Sequence, residues 1–209
     1  EIVTIIGGGA FCDCTGLTNI TIPDSVTSIG NYAFNGCVSL TSLKIPSSLT
    51  SVSQYAFANC TGLTSIEFPE TLTTIYSYAF NNCTSLVSLK MPDSVTSIGA
   101  GAFNNCTNLS KVELSPNWKY VLDYKYNTNN DWGNYTTSPF SGCSSLTSID
   151  LPEGMTTLAR YAFHGMTMLN KVVIPNSLTT IDNCAFSGCT GLTGIEIPDS
   201  VTSMGNYAF

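Results

Sequence analysis

The sequence predicts a repeat solenoid, one elongated body built of stacked 23-residue rungs over residues 1–209. Three observations predict it. Phenylalanine stands at Phe11, Phe34, Phe57, Phe80, Phe103, Phe140, Phe163, Phe186 and Phe209, every step being 23 residues except one of 37. Residues 14–34, CTGLTNITIPDSVTSIGNYAF, recur along the chain with small edits. Seven of the nine cysteines hold one place in that register. A fixed period of this length marks an array in which each repeat is one supersecondary unit that cannot bury its apolar face without neighbours.

The first element of a rung is a short strand. Apolar residues recur six, nine and eleven places after each phenylalanine, as Leu17, Ile20 and Ile22 in the first copy and Leu192, Ile195 and Ile197 in the last. The last two alternate as strand residues do. Proline follows at Pro23, Pro46, Pro69, Pro92, Pro152, Pro175 and Pro198 and, having no N–H, ends the strand.

A second inward arc comes at places 15 and 18, as Val26 and Ile29 or Val95 and Ile98, with room for its own short strand. After it, residues such as Asn31-Tyr32-Ala33-Phe34 tolerate a helix. Two places past the phenylalanine stands Gly, Asn or Asp, namely Asp13, Gly36, Asn59, Asn82, Asn105, Gly142, Gly165 and Gly188. Those residues accept positive φ, so each rung is expected to hold one helical or 3-10 turn closed by a left-handed residue.

The cysteines read as packing, not as a disulfide framework. Cys14, Cys37, Cys60, Cys83, Cys106, Cys143 and Cys189 all lie three residues after the phenylalanine, and Met166 fills that place once. A position that takes Met as readily as Cys serves as a small apolar plug. Stacked copies have Cβ vectors pointing the same way, which disfavours a bridge. Cys12 and Cys184 lie off this ladder and are expected to be either reactive or incidental thiols.

The pattern Cys-x-x-Leu-x-x-Ile-x-Ile-Pro-x-x-Val-x-x-Ile-x-x-x-Ala-Phe, as in residues 189–209, closely resembles the repeat of BspA-like leucine-rich-repeat surface proteins. The resemblance covers the chain apart from one long insertion. It implies a leucine-rich-repeat type of solenoid and an extracellular or cell-surface location. It also implies a non-enzymatic role in adhesion to host proteins or other cells. The family has no shared binding motif, so no functional residue carries over.

Composition narrows the partners. The formal net charge is −7 with a pI near 4.4, and seven Lys and Arg do not build the basic patch that nucleic acid or an anionic membrane requires. No run of 18 apolar residues is present, so no direct membrane insertion is expected in this segment. The chain starts and stops partway through a repeat and is expected to be a piece of a longer protein.

Two surfaces are candidates for binding. Ten places after each phenylalanine an outward column runs through Lys44, Glu67, Lys90, Glu113 and Asp150, alternating in sign over its middle. Opposite charges on adjacent strands support register, and a concave strand face is where other leucine-rich repeats bind. The second candidate is the only large break in the repeat, residues 115–139, SPNWKYVLDYKYNTNNDWGNYTTSP. It holds both tryptophans, Trp118 and Trp132, with Tyr120, Tyr124, Tyr126 and Tyr135. Its alternation suggests a hairpin or loop that projects from the coil. Insertions in repeat proteins cluster on one face, often the binding face, and Trp and Tyr anchor protein interfaces and sugar rings. The same aromatics could instead fold onto the solenoid.

Catalytic chemistry is not indicated. His164 is the one histidine, no His or Cys ligand set is clustered, and Gly7-Gly8-Gly9 lacks the lysine of a phosphate loop. No enzyme activity, cofactor or metal is expected. The partner that the resemblance implies is a protein or a glycan at the surface of a host or neighbouring cell. The alternatives to an adhesin are a glycan-binding surface module and a structural spacer displaying another domain.

Overall fold

The computed structural model describes residues 2–122 and 137–209. Fifteen short strands form among them. In chain order they are β1 (Ile5–Ile6), β2 (Ser28–Ile29), β3 (Ser42–Lys44), β4 (Ser51–Val52), β5 (Ser65–Glu67), β6 (Thr74–Ile75), β7 (Ser88–Lys90), β8 (Ser97–Gly99), β9 (Lys111–Glu113), β10 (Tyr120–Leu122), β11 (Ser148–Asp150), β12 (Thr157–Leu158), β13 (Lys171–Val173), β14 (Thr180–Ile181) and β15 (Ser203–Met204). All pairings are parallel, and within uninterrupted rungs each joins residues 23 apart, as in Leu43 with Ile66 and Ile75 with Ile98. The result is a parallel β-solenoid.

Two arcs follow from the two apolar pairs. The first arc pairs β3 with β5, β7 with β9 and β11 with β13, burying Leu43 and Leu89 while Lys44 and Lys90 face out. The second arc joins β4, β6, β8 and β10 in one sheet and β12, β14 and β15 in another. No helix among the described residues is long and apolar enough to cross a membrane.

The phenylalanine column is the axis of the core. Phe34, Phe57, Phe80, Phe103, Phe140 and Phe163 are wholly buried, and neighbouring rings stack at 4.9 to 6.3 Å between centroids. A phenylalanine in a single rung would have both ring faces in water. Stacking covers those faces and adds about 0.5–1.5 kcal/mol per pair beyond the buried area.

The expected helical turn per rung is not formed, and no helix occurs among the described residues. The segment is a run of tight turns whose N–H groups alternate in direction. Those of Ala33, Asn35 and Cys37 close on the carbonyls of Gly30, Tyr32 and Phe34 at 3.3, 3.1 and 3.3 Å. Those of Tyr32, Phe34 and Gly36 donate to Gln54, Ala56 and Ala58 in the next rung at 3.2, 2.7 and 2.8 Å. A helix would keep every N–H within the segment. The cause is a second left-handed residue, two places before the phenylalanine: Tyr32, Tyr55, Tyr78, Tyr161 and Tyr207 have φ between 54° and 59°. The left-handed residue expected two places after it is present in all eight copies, from Asp13 at 56° to Gly188 at 76°.

All nine cysteines are free thiols. Cys37, Cys60, Cys83, Cys106, Cys143 and Cys189 are buried, whereas Cys12 is exposed. The plug has a further role: each buried thiol donates to the carbonyl of the phenylalanine one rung back, as Cys60 to Phe34 and Cys83 to Phe57, both at 3.3 Å.

The rung register continues well into residues 115–139. Tyr120, Val121 and Leu122 pair with Ser97, Ile98 and Gly99, 23 places earlier. Counted from Phe103, Trp118 therefore takes place 15, held elsewhere by Val26, Leu49, Leu72 and Val95, and Val121 takes place 18. The described residues keep this register through Leu122. The rest of the expected hairpin or loop, residues 123–136, lies outside the described residues.

Candidate functional site

Trp118 belongs to the core. It is fully buried, with its indole edge-on to two rings of the column, 6.3 Å and 89° from Phe140 and 6.1 Å and 79° from Phe163. Its Nε1–H donates to the Tyr120 carbonyl at 2.9 Å, which satisfies the one polar atom of the ring. The Phe140–Phe163 step is the widest of the column at 6.3 Å, as an indole in the place of Val or Leu requires. Enclosed in this way, Trp118 offers no surface to a ligand. Tyr120, two residues on and the first of β10, is 60% exposed. Tyr124, Tyr126, Trp132 and Tyr135 lie outside the described residues.

The outward column of the first arc is exposed throughout, at Lys44, Glu67, Lys90, Glu113 and Asp150. Its members divide into two groups. Lys44 and Glu67 form an ion pair across β3 and β5 at 3.3 Å. With both side chains mostly in water, such a pair adds at most about 1 kcal/mol. Glu113 pairs instead along its own strand, with Lys111 at 2.7 Å. That hydrogen bond holds the Glu113 carboxyl below its ordinary range, and the Lys90 charge adds to the effect.

Lys90, Glu113 and Asp150 come together around an open groove of about 470 Å³ on the strand face. Asp93, Pro116 and Glu153 line it from a second column, thirteen places after the phenylalanine, and Lys111 joins them on β9. Apolar atoms of Met91, Val112, Leu114 and Pro152 and the hydroxyl residues Ser110 and Ser148 complete the lining. Its volume lies in the range of ligand-binding clefts, roughly 300–1,000 Å³. The groove crosses a seam in the sheet, because β7 pairs with β9 and β11 with β13, whereas β9 and β11 form no ladder. Tyr120 stands on the other arc and is not part of it.

Reading the column at place 10 alone misses Asp93 and Glu153. Their signal is present in the sequence: place 13, just after the proline, is acidic at Asp24, Glu70, Asp93, Glu153 and Asp199. The repeated hydroxyls are structural. Thr64 and Thr73 donate to the carbonyls of Thr41 and Thr50 one rung back, at 2.9 and 3.0 Å.

The remaining chemistry-bearing groups do not converge. The His164 ring lies edge-on to Tyr161 at 5.5 Å, and the Arg160 guanidinium sits 4.7 Å above the same tyrosine. Among the described residues no group of three or more His, Cys, Asp or Glu is placed to hold a metal ion.

Stacked rungs, short parallel strands and an exposed strand face define the leucine-rich-repeat class of solenoid. The chain belongs to the BspA type leucine rich repeat family, whose model matches six copies over residues 4–132 and 136–209. Among solved structures it is similar to a leucine rich repeat protein of T. pallidum at 28% identity. That match covers 91% of this chain and 72% of the other, with a TM-score of 0.60. It is also similar to a leucine rich cell surface protein of Faecalibacterium prausnitzii A2-165, at 28% identity, with 98% and 69% covered and a TM-score of 0.39. A third similar structure is the pneumococcal vaccine antigen PcpA, at 23% identity, with 99% and 64% covered and a TM-score of 0.46. No curated protein sequence matches the chain.

Proposed function

We propose that this solenoid is a non-enzymatic binding module, secreted or held at a cell surface, that engages a protein partner and so mediates adhesion. The observation that carries the reading is the groove formed by Lys90, Glu113, Asp150 and Glu153. These side chains are exposed, so the stack does not need them for its core, and they stand around apolar lining in a concave patch. Convergent polar groups over an apolar floor are what a binding site requires. Membership of the BspA type family supports the surface setting.

The test compares the whole chain with its Lys90→Ala/Glu113→Ala/Asp150→Ala/Glu153→Ala variant, both immobilised, against a panel of extracellular-matrix proteins and a glycan array. Binding to a matrix protein that the variant loses is the expected result. Binding confined to glycans would replace the reading by that of a glycan module, a result that the exposed Tyr120 ring would then help to explain. Silence on both surfaces would leave a spacer.

A further inference from the structure

The groove carries more negative than positive charge, and among the described residues the surplus has no ion-pair partner. Its ionic lining is Lys90, Asp93, Lys111, Glu113, Asp150 and Glu153, two cations against four carboxylates. Lys111 is engaged by Glu113 at 2.7 Å, and Lys90 acts on that same carboxylate. Among the described residues the carboxylates of Asp93, Asp150 and Glu153 form no ion pair. Stacking does not require this arrangement. Where register is served, the column pairs across strands, as Lys44 does with Glu67.

The lining is also layered. Val112, Leu114 and Met91 are nearly buried and present apolar atoms at the floor, Pro116 and Pro152 form half-buried walls, and the free carboxylates stand exposed at the rim. A long cationic side chain fits such a surface: its methylene stem lies along apolar atoms while its charged head reaches an acidic edge. A flat anionic sugar or an acidic peptide would meet three uncompensated carboxylates, and like charges in apposition oppose binding.

Resting on the strand-face reading above, we infer that the groove binds an extended segment of a partner protein that carries lysine or arginine side chains. The acidic surplus sets the sign of the partner, and the apolar floor selects long aliphatic-stemmed cations over small ones.

Two ten-residue peptides test the inference, one alternating Lys with Thr and one alternating Glu with Thr. Each is titrated calorimetrically into the full chain at low and at 300 mM salt. The Lys/Thr peptide is expected to bind at least about tenfold more tightly than the Glu/Thr peptide and to weaken severalfold in high salt, as screening of partly exposed charges demands. Asp150→Asn/Glu153→Gln, both at exposed positions, should remove most of that binding with an unchanged thermal midpoint. Glu196→Gln/Asp199→Asn, at exposed positions of the same two columns two rungs beyond Asp150 and Glu153, should leave it intact. Equal binding of the two peptides would overturn the inference, as would Lys/Thr binding that Asp150→Asn/Glu153→Gln leaves unchanged. Failure here with a groove-dependent matrix ligand in the panel would overturn only the basic character of the partner. Success here with a silent panel would overturn only the adhesive role.

Discussion

Phe103 and Phe140 stack at 5.7 Å with their ring planes 8° apart, although 37 residues separate them in sequence. The core therefore passes the break in the repeat as if it were absent. Removing the fourteen residues 123–136 returns the spacing of the two rings from 37 to 23. It also brings Leu122, place 19 of its rung, next to Thr137 at place 20. Loop length costs little in closure entropy. The shortened chain should keep its circular dichroism spectrum and melt within about 4 °C of the parent. A fall well beyond that would mean that the excised residues support the core.

The Trp118 indole and the Tyr120 ring, two residues apart, should respond to mutation in opposite ways. Trp118→Ala opens a cavity beside Phe140 and Phe163 and should cost roughly 3–5 kcal/mol in urea unfolding. Tyr120→Ala, at an exposed position, should stay within about 0.5 kcal/mol. Comparable losses at the two sites would contradict the placement of Trp118.

The burial of Trp118 was legible from the repeat, because counting fifteen places from Phe103 lands on it. Its aromatic character, beside a second tryptophan and four tyrosines, points the other way and suggests a projecting surface. Register decides, since the stack must fill place 15 in every rung with something apolar. The strands, the plugs without disulfides and the left-handed residue after each phenylalanine follow from the repeat in the same direct way. The turn before it does not. Tyr32 is not a residue that sequence marks for positive φ, and it holds φ 59° in a turn whose N–H donates to Gln54 of the next rung at 3.2 Å, a bond that exists only between rungs. The groove was half legible: the columns at places 10 and 13 can be counted, but the unladdered seam between β9 and β11 is a property of the assembled stack.

The ladder thiols predict a loss of stability in alkali. Burial pushes Cys60 up to about 12 and Cys189 up to about 11, from an ordinary value of 9.0. The folded state thus holds these protons more tightly than the unfolded one. Their stabilising contribution is complete below pH 9 and is lost as pH rises through 11 to 12. Thermal midpoints should fall progressively above pH 9, and Cys60→Ala should show a smaller fall relative to its own value at pH 8. At pH 8 a thiol reagent should label the exposed Cys12 at once and leave Cys60 and Cys83 intact until the chain unfolds.

Asn59 holds φ at 58°, its amide donates to Asn35 Oδ1, and its own Oδ1 accepts from Asn82, both at 3.0 Å. Ala and Gly remove these hydrogen bonds equally but differ in tolerance of left-handed backbone. Asn59→Ala should be less stable than Asn59→Gly by about 1–2 kcal/mol in denaturant unfolding. The reverse order would show that the turn does not need positive φ there.

The central claim is that the rungs on either side of the break form one continuous, mutually supporting stack with Trp118 inside its core. Equilibrium urea unfolding of Trp132→Phe tests it most directly, followed both by far-ultraviolet circular dichroism and by fluorescence. The emission then comes from Trp118 alone, at the break, while circular dichroism reports on every rung. Blue-shifted native emission and coincident transitions are expected, because neighbouring rungs stabilise one another. Native emission at the wavelength of a solvated indole, or a Trp118 transition complete before the strands unfold, would contradict it.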